Sequence, residues 1–258
     1  MNGGEGLTPL PLRYGSLDNG YWDQLMDDAS GPHGPVWSIS LHKFRERACY
    51  ADGDRGRTGA QAFDHFVDID LIDSVGGELV LDGPIIQTRR GEPWDRLVVL
   101  SLPSAGALVE MMSHPTATCR HEHKDAGVLR SIQLIGTQLA QPVADIVTAP
   151  DDDAVINALF WRYNDPDAPE KFLAATPGLA RSFGASREAW FEVDGTLIHD
   201  GNDWDEVFFA RYPSIEAYEA LDAHPTWRAA SDRLQSDAKN CYEMLMAPTI
   251  NRLAHSLH

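Results

Sequence analysis

The chain has 258 residues, which allows one large domain or two small ones at roughly 100–200 residues per domain. Hydrophobic residues make up 43% and charged residues 23%, so wholly disordered, collagenous and disulfide-scaffold proteins are excluded. The 21 Lys and Arg residues against 39 Asp and Glu residues give a net charge of −18. Such a charge repels phosphate backbones and anionic lipid headgroups, so we expect no nucleic-acid or membrane partner.

Three cysteines, Cys49, Cys119 and Cys241, lie far apart and form no Cys-x-x-Cys pair, so the sequence predicts neither a disulfide framework nor a zinc knuckle. The N-terminal residues lack a basic start followed by an apolar run, and no stretch approaches the ~18 apolar residues that span a bilayer. We therefore expect a soluble, cytoplasmic protein.

The first half of the chain opens with residues 1–35, whose glycines, prolines and weak apolar periodicity predict a loose arm with a short helix around 21–26. The predicted elements that follow are a strand (36–44), an amphipathic helix (60–75), two strands (78–86 and 97–102), a helix (from Ser104 to His114) and a strand (128–136). A charged, glycine-containing loop at 45–58 follows the first strand, and we interpret it as a candidate lid.

The second half repeats this order. Residues 138–153 contain two prolines and an acidic run, which is typical of a linker. The predicted elements that follow are a strand (155–163), a helix (169–183), two strands (189–198 and 207–212), a helix after Ser214 and a strand (241–250). Each half is therefore predicted to be β-α-β-β-α-β, the order of a ferredoxin-like domain, with domains at 36–137 and 154–258.

An internal duplication supports this division. Residues 94–116 and 204–226 match without a gap at a shift of 110, with identical pairs Trp94/Trp204, Asp95/Asp205, Pro103/Pro213, Ser104/Ser214, Ala107/Ala217, His114/His224, Pro115/Pro225 and Thr116/Thr226. In both copies a strand ends at a proline, a serine caps a helix and a His-Pro pair ends it. We expect both histidines to interact with the last carbonyl groups of these helices.

The repeated pattern PS..A......HPT, followed by CRHEHKDAGVLRSIQLI, resembles the dimeric α/β-barrel superfamily over about 36–137 and 154–250. In that superfamily two ferredoxin-like units, usually from two chains, set their sheets face to face. The resemblance implies an α+β fold in which two tandem ferredoxin-like domains form an intramolecular dimeric α/β barrel. Members include antibiotic-biosynthesis monooxygenases, muconolactone isomerases, EthD-like proteins and haem enzymes such as chlorite dismutases, so fold says little about function.

Alternation along the first strand suggests where a pocket could lie. One face is apolar (Trp37, Ile39 and Leu41) and the other is polar (Ser38, Ser40 and His42). The equivalent positions of the second half are Asn157, Leu159 and Trp161. An antiparallel sheet can show a polar face to water, but a chain with two matched sheets has a reason to enclose it. We therefore expect this face to line the barrel.

Further candidates for the same face come from other strands: Arg211, Trp190, Glu192 and Gln133. His42 could act as the acid/base, while Asn157 and Arg211 polarise a carbonyl or enolate. The structural alternatives remain open: a hydrogen-bonded His42, an Arg211 paired with a carboxylate, and Trp161 and Trp190 as packing residues. Divergence at these positions between the halves suggests one working pocket, with the 45–58 loop near its mouth.

The histidine cluster His114, His121 and His123 does not have the spacing of a zinc motif, and no nucleotide, dinucleotide or hydrolase template is present. We expect His121 and His123 to lie on a solvated helix end or at the rim of the pocket.

We thus expect an enzyme without a metal or other cofactor, a monomer or homodimer whose partner is a small-molecule substrate. The resemblance implies an isomerase, cyclase or monooxygenase acting on a hydrophobic, aromatic or polyketide-like molecule, as in natural product biosynthesis. A non-catalytic small-molecule-binding barrel and a haem enzyme of the same superfamily are the alternatives.

Overall fold

The computed structural model describes residues 12–29, 34–139, 153–165, 167–168, 171–172 and 176–253. The strands are β1 (Ser16–Leu17), β2 (Val36–Phe44), β3 (Glu78–Arg90), β4 (Arg96–Leu102), β5 (Val128–Gln138), β6 (Val155–Tyr163), β7 (Ser186–His199), β8 (Glu206–Tyr212), β9 (Ala238–Met246) and β10 (Ile250–Asn251). The helices are α1 (Asn19–Asp28), α2 (Gly59–Phe66), α3 (Ile69–Ser74), α4 (Ala105–Ser113), α5 (Pro115–Gly127), α6 (Pro177–Ser182), α7 (Ile215–Asp222) and α8 (Pro225–Asp237).

Eight antiparallel strands form a closed barrel. Their hydrogen-bonded order is β7-β5-β2-β4-β3-β9-β6-β8, and β8 pairs again with β7. Within each half the order is fourth, first, third and second strand, which is the ferredoxin-like arrangement. The tandem ferredoxin-like domains and the intramolecular barrel predicted from the sequence are therefore confirmed.

The two halves are joined by main-chain hydrogen bonds along their longest strands. The first part of β3 pairs with β4 of its own half, and its last residues, from Ile85 to Arg90, pair with β9 of the other half. Likewise β7 pairs first with β8 and then, through Ile198, with β5 of the first half. The sequence predicted both strands too short, at 78–86 and 189–198, because the polar residues at the end of β3 and at the start of β7 weaken the apolar pattern.

The barrel interior is filled with apolar side chains from both halves. Their core includes Trp37, Ile39 and Leu41 from β2, and Ile156, Ala158 and Phe160 from β6. An eight-stranded barrel has an interior just wide enough for side chains to fill. The expectation that the polar face lines the barrel is therefore wrong, because Ser38, Ser40 and His42 face the helices on the outside of the sheet.

The duplicated Trp-Asp pair has a structural role in each half. Trp94 and Trp204 pack on Tyr242 in the barrel core, with ring centroids 6.2 and 4.5 Å from the tyrosine ring. The Asp95 carboxylate accepts a hydrogen bond of 2.7 Å from the Phe44 amide, at the end of β2. In the second half Asp205 does the same for the end of β6. The Trp side chains thus fill the core while the Asp side chains fix the strand ends.

Each duplicated His-Pro pair follows the end of one helix, as predicted, and also starts the next helix. Nδ1 of His114 accepts a hydrogen bond from the Thr116 amide at 3.2 Å, and His224 accepts one from Thr226 at 3.3 Å. Each histidine is thus the N-cap of the next helix, α5 or α8, and the proline occupies the first turn. The main-chain N–H of each histidine donates to a carbonyl of the preceding helix, but the expected interaction of the side chain with those carbonyls is wrong, because the side chain caps the next helix.

Other boundaries differ locally. The predicted helix at 60–75 is two helices, because the Asp68 side chain caps α3 by accepting a hydrogen bond from the Leu71 amide. The strand predicted at 241–250 ends at Met246, and β10 pairs separately with β3. The predicted helix at 169–183 lies partly outside the described residues. In the part of the chain that is described, no helix is long and apolar enough to cross a bilayer.

The described part of the N-terminal segment packs against both halves and is not a loose arm. Tyr14, Trp22 and Leu25 are buried in the same core as the first-half helices. The short helix expected there is α1, which contacts α4, and β1 pairs with the end of β7. We call residues 12–29 the arm. Most of the predicted linker, at 140–152, lies outside the described residues.

The joint between β5 and β7 provides a test of barrel closure. A methyl group on Gly136 would overlap the carbonyl oxygen of Glu192 on the other half. We expect Gly136→Ala to lower the free energy of unfolding by about 1–3 kcal/mol, as overpacking usually does. Gly178→Ala is the matched control: a methyl group there meets open space, so this variant should not lower the free energy of unfolding. Urea unfolding followed by circular dichroism measures both, and equal stability of the two variants would contradict the role of this joint.

Candidate functional site

A cavity of about 160 Å³ lies on the outer face of the first-half sheet, beneath α5 and the arm. Its walls are mostly apolar and include Tyr14 and Trp22 of the arm, Phe66, Met112 and Ile198. Ile198 belongs to β7, so the second half also contributes to the wall. The lining also includes the polar side chains of Ser113, Thr118, His121, Lys124 and Gln133.

Lys124 is the most unusual group in the cavity. Its side chain is only 7% exposed, and among the described residues its ammonium has neither a hydrogen-bond acceptor nor a carboxylate partner. The Nζ atom lies 5.1 Å from the centroid of the Tyr14 ring and 5.0 Å from that of Phe66. Burial disfavours the charged form and lowers the pKa of Lys124 to about 8. The cavity therefore holds an amine that can gain or lose a proton near neutral pH.

His121 joins Lys124 on the cavity face of α5. The hydroxyl of Tyr14 and Nε2 of His121 share a hydrogen bond of 3.0 Å, which ties the arm to the helix. Burial and the neighbouring Lys124 charge lower the pKa of His121, whereas Asp125 opposes them. Burial also raises the pKa of the Tyr14 hydroxyl. Both partners are thus uncharged at neutral pH.

The predicted residues of β2 lie behind the cavity. Nδ1 of His42 is 3.0 Å from the Ser131 hydroxyl, and the imidazole packs on Phe63 with centroids 4.4 Å apart. Burial, then the charges of Lys124 and Arg96, hold the pKa of His42 well below its usual value. His42 is therefore a neutral, hydrogen-bonded residue that does not form part of the described cavity wall.

Gln133 connects β2 to the cavity. Its Nε2 donates a hydrogen bond of 2.9 Å to the hydroxyl of Ser38, and both residues are buried. This bond fixes the amide plane while Gln133 remains in the cavity wall. The amide has a second N–H group that can donate to an oxygen of a bound molecule.

The equivalent region of the second half is filled. Helices α5 and α8 have the same length, and the 110-residue shift places Trp227 at the position of Ala117 and Leu234 at that of Lys124. Strands β2 and β6 pair in the same register, so Trp161 replaces His42. These large side chains leave a cavity of about 10 Å³. At the place equivalent to the first-half cavity, the described residues of the second half therefore leave no space of ligand size.

A buried polar network replaces Gln133 in the second half. Glu243 occupies the equivalent position and accepts hydrogen bonds from the Tyr218 hydroxyl at 2.6 Å and from Asn157 at 3.3 Å. Its other oxygen lies 3.0 Å from Nε of Arg90, which comes from β3 of the first half. Asn157 is therefore engaged in a network that holds the two halves together.

The structure does not bring the nine predicted site residues together. One group lies on the outer face of the first half: Ser38, Ser40, His42 and Gln133. A second group lies on the outer face of the second half: Asn157, Trp161, Trp190 and Glu192. In this second group Trp190 donates a hydrogen bond of 2.7 Å to Glu206, and Glu192 is exposed.

Arg211 lies on the opposite face of the sheet. It pairs in register with Ile156, whose side chain belongs to the barrel core, whereas Asn157 pairs with Ala210. Because neighbouring residues of a strand point to opposite faces, Arg211 and Asn157 cannot serve one pocket on the outer face.

The 45–58 loop does not form part of the cavity's described lining. Tyr50 shares a hydrogen bond of 2.9 Å with Nδ1 of His123, and the Cys49 amide donates to the carbonyl of Ala126. These contacts place the loop on another face of α5, and the arm covers the cavity instead. His121 therefore lines the cavity, whereas His123 supports the loop.

Sequence analysis missed Lys124 and Tyr14, the two residues that distinguish this cavity. Ala117, His121 and Lys124 are spaced i, i+4 and i+7 along α5, which puts them on one helical face. That spacing was the available signal for Lys124. Tyr14 had no comparable signal, because its contacts depend on how the arm folds back.

No family model and no curated protein matches the chain. Among solved structures, an anthrone oxidase-like protein superposes with a TM-score of 0.52 at 14% identity, covering 89% of this chain and 99% of that chain. A candidate monooxygenase from Fusobacterium nucleatum gives 0.50 at 8% identity, covering 84% and 94%. A protein of unknown function from Rhodopseudomonas palustris gives 0.44 at 26% identity, covering 49% and 98%. The chain has the dimeric α/β-barrel fold, as the resemblance implied.

Haem, which some proteins of this fold bind, does not fit the residues of this cavity. A space of about 160 Å³ is the size of one benzene ring and cannot hold a porphyrin. Nε2 of His121 is engaged by Tyr14, and Nδ1 of His42 is engaged by Ser131. The described cavity therefore lacks the volume for a porphyrin.

The burial of Lys124 predicts a pH dependence of stability. Between about pH 8 and the ordinary lysine pKa of 10.5, the unfolded chain binds more protons at this residue than the folded protein, so the contribution of Lys124 makes stability rise with pH, whereas Cys241 and the buried tyrosines, whose pKa values are raised, make it fall. We expect Lys124→Met to remove the contribution of Lys124 and to raise the free energy of unfolding at pH 7, by roughly 3 kcal/mol at most. Urea unfolding at pH 7 and pH 10 measures it. The control is Lys239→Met, at an exposed position; the same change in stability between pH 7 and pH 10 in Lys124→Met as in the wild type would contradict the assignment.

Proposed function

We propose that the protein is a cofactor-independent enzyme that transfers protons on a small molecule about the size of one ring, with Lys124 as its acid–base group. The observation that carries this proposal is a buried amine without a protein partner among the described residues, facing an apolar cavity. An engineered apolar cavity of about 150 Å³ binds benzene, so a single ring is the matching size. A multi-ring polyketide is larger than this space.

The electrostatics of the cavity favour a substrate that becomes anionic during the reaction. Lys124 is the one cation among the described lining residues. Its ammonium can stabilise an enolate or phenolate in a medium of low polarity, where charge interactions are strong. With a pKa of about 8, the same group can both donate and accept a proton at neutral pH.

The remaining polar groups support binding and orientation. The second N–H of Gln133 can donate to a carbonyl oxygen, and the bond to Ser38 fixes its direction. We assign the acid–base role to Lys124 rather than to His42, because His42 is absent from the described cavity wall and its Nδ1 is engaged by Ser131. His42 adds no second positive charge beside Lys124, since it is neutral.

Within the reaction classes implied by the fold, an isomerase fits these residues best. Isomerisation through an enol requires proton transfer and stabilisation of the enolate, and Lys124 and Gln133 can supply both. The solved structures of similar fold include an anthrone oxidase-like protein and a candidate monooxygenase, and at their low identity they support the fold and not the reaction.

Hydrogen exchange into a ring-sized ketone tests the proposal. We expect the protein to accelerate deuterium exchange at the α-carbons of cyclohexanone in D₂O, measured by NMR. Lys124→Met should reduce the rate by about 10²–10⁴-fold, the usual contribution of a general acid–base group. Lys239→Met, outside the cavity, should keep the full rate. Exchange no faster than in buffer, with cyclohexanone bound, would instead identify a non-catalytic binding protein.

Filling the cavity provides an independent prediction. Ala117→Trp copies the second half, where Trp227 occupies the equivalent position beside the closed cavity. We expect this variant to fold and to lose saturable binding of 4-nitrophenol, measured by its absorption spectrum. Ala229→Trp places the same side chain on the exposed surface of α8 and should bind as wild type. Unchanged binding in Ala117→Trp would place the ligand elsewhere.

A further inference from the structure

We infer that Lys124 is a covalent nucleophile, which forms an imine with a small aldehyde or ketone bound in the cavity. This inference rests on the proposed function and deepens it, because it names carbonyl compounds as the substrate class and a covalent route for the proton transfer. It comes from the position of Nζ, from the contacts that this atom lacks and from the groups around it.

The surroundings of Nζ leave it free to form a bond. It lies beside two aromatic rings, Tyr14 and Phe66, which pack on the amine without accepting an N–H hydrogen bond in the ordinary sense. The other lysines are different. Lys43 and Lys171 each form an ion pair of 2.6 Å with an aspartate, and Lys239 is exposed. Lys124 is therefore the lysine whose side chain lines a ring-sized, mostly apolar cavity.

The charged groups around Lys124 allow the neutral amine to form. The ammonium of Lys124 is near Tyr14 of the arm, whose hydroxyl is uncharged. It also acts on the neutral His42 of β2 and on the neutral His121 of its own helix. The charge of the Asp125 carboxylate affects the pKa values of Tyr14 and His121. This carboxylate accepts a hydrogen bond of 3.1 Å from the Arg13 amide and lies 3.5 Å from the Arg13 guanidinium. Desolvation lowers the pKa of Lys124 to about 8, so a nucleophilic fraction exists at neutral pH.

The step balances without an oxidant or reductant. The neutral amine of Lys124 attacks the carbonyl carbon, forming the C–N bond, and the carbonyl oxygen takes up a proton to give a carbinolamine. The C–O bond then breaks, water leaves and the C=N bond forms. The departing hydroxyl needs a proton, and the Tyr14–His121 pair in the cavity wall can relay one through its 3.0 Å hydrogen bond. The resulting iminium acidifies the neighbouring C–H group, whose proton passes to the neutral imidazole of His121 in the cavity wall and leaves an enamine; this is the proton transfer that the proposed function requires.

Reductive trapping tests the inference. The full-length protein is incubated with benzaldehyde and sodium cyanoborohydride at pH 8, and the product is analysed by intact mass and peptide mapping. We expect one benzyl group, located on Lys124, and none on that peptide in Lys124→Arg, because a guanidinium does not form an imine under these conditions. Lys239→Met should be trapped as fast as wild type, and Ala117→Trp should be trapped at least tenfold more slowly. Equal labelling of all lysines, or no label on Lys124, would overturn the inference.

A pH profile gives a readout that does not depend on how the variants fold. The rate of trapping at Lys124 in the wild type, divided by that at the exposed Lys239 in the same sample, should be highest below about pH 8 and fall toward pH 10, because the ordinary lysine becomes neutral only there. A ratio that does not change between pH 7 and pH 10 would contradict the inference. The two proposals fail separately: Lys124-dependent exchange of cyclohexanone without trapping removes the imine and keeps the acid–base enzyme. Trapping at Lys124 without exchange of cyclohexanone keeps the imine and removes the acid–base enzyme.

Discussion

The packing of two apolar sheet faces inside one closed barrel is the constraint on which the other features of this protein depend. Eight strands enclose a space that side chains alone can fill, and here Trp94, Trp204 and Tyr242 help to fill it. Once the barrel interior is filled in this way, the polar side chains of β2 lie on the outer face, against the helices. The cavity therefore lies outside the barrel, between sheet and helix, where the packing of three separate segments leaves a gap.

The arm completes this gap from a distance in the sequence. The carbonyl of Tyr14 accepts a hydrogen bond of 2.8 Å from the Ser131 amide, and its hydroxyl meets His121, so one residue holds the arm to both sheet and helix. Pairing of β1 with β7 then links the arm to the second half. The burial of Lys124 follows from this arrangement, since its ammonium lies between a ring of the arm and a ring of α2. The chemistry proposed for the cavity thus depends on tertiary contacts more than on any motif.

Sequence reasoning recovered the architecture because repeats and strand periodicity are local signals. The 110-residue shift identified the halves, and the alternation along β2 separated Ser38, Ser40 and His42 from the apolar residues correctly. Alternation does not indicate which face of β2 is turned toward the barrel interior, because both faces of this sheet are covered. The prediction that the polar face lines the barrel was therefore wrong. Lys124 was missed because a helical lysine is ordinarily exposed, and only the folded arm removes it from water. Arg211 was misplaced relative to Asn157 because one residue along a strand changes the face.

The presence of both halves in a single chain has a consequence for how stability and activity are shared. In a dimer of identical units, a tryptophan at the Trp227 position would close both cavities, and an alanine would open both. Cavities and unpaired buried charges lower stability, so function and stability commonly compete. In the fused chain each substitution acts once. The second half has a filled cavity and the Glu243–Arg90 pair, which stabilise the chain. This stability can offset the cost of the empty space and the buried amine that the first half retains.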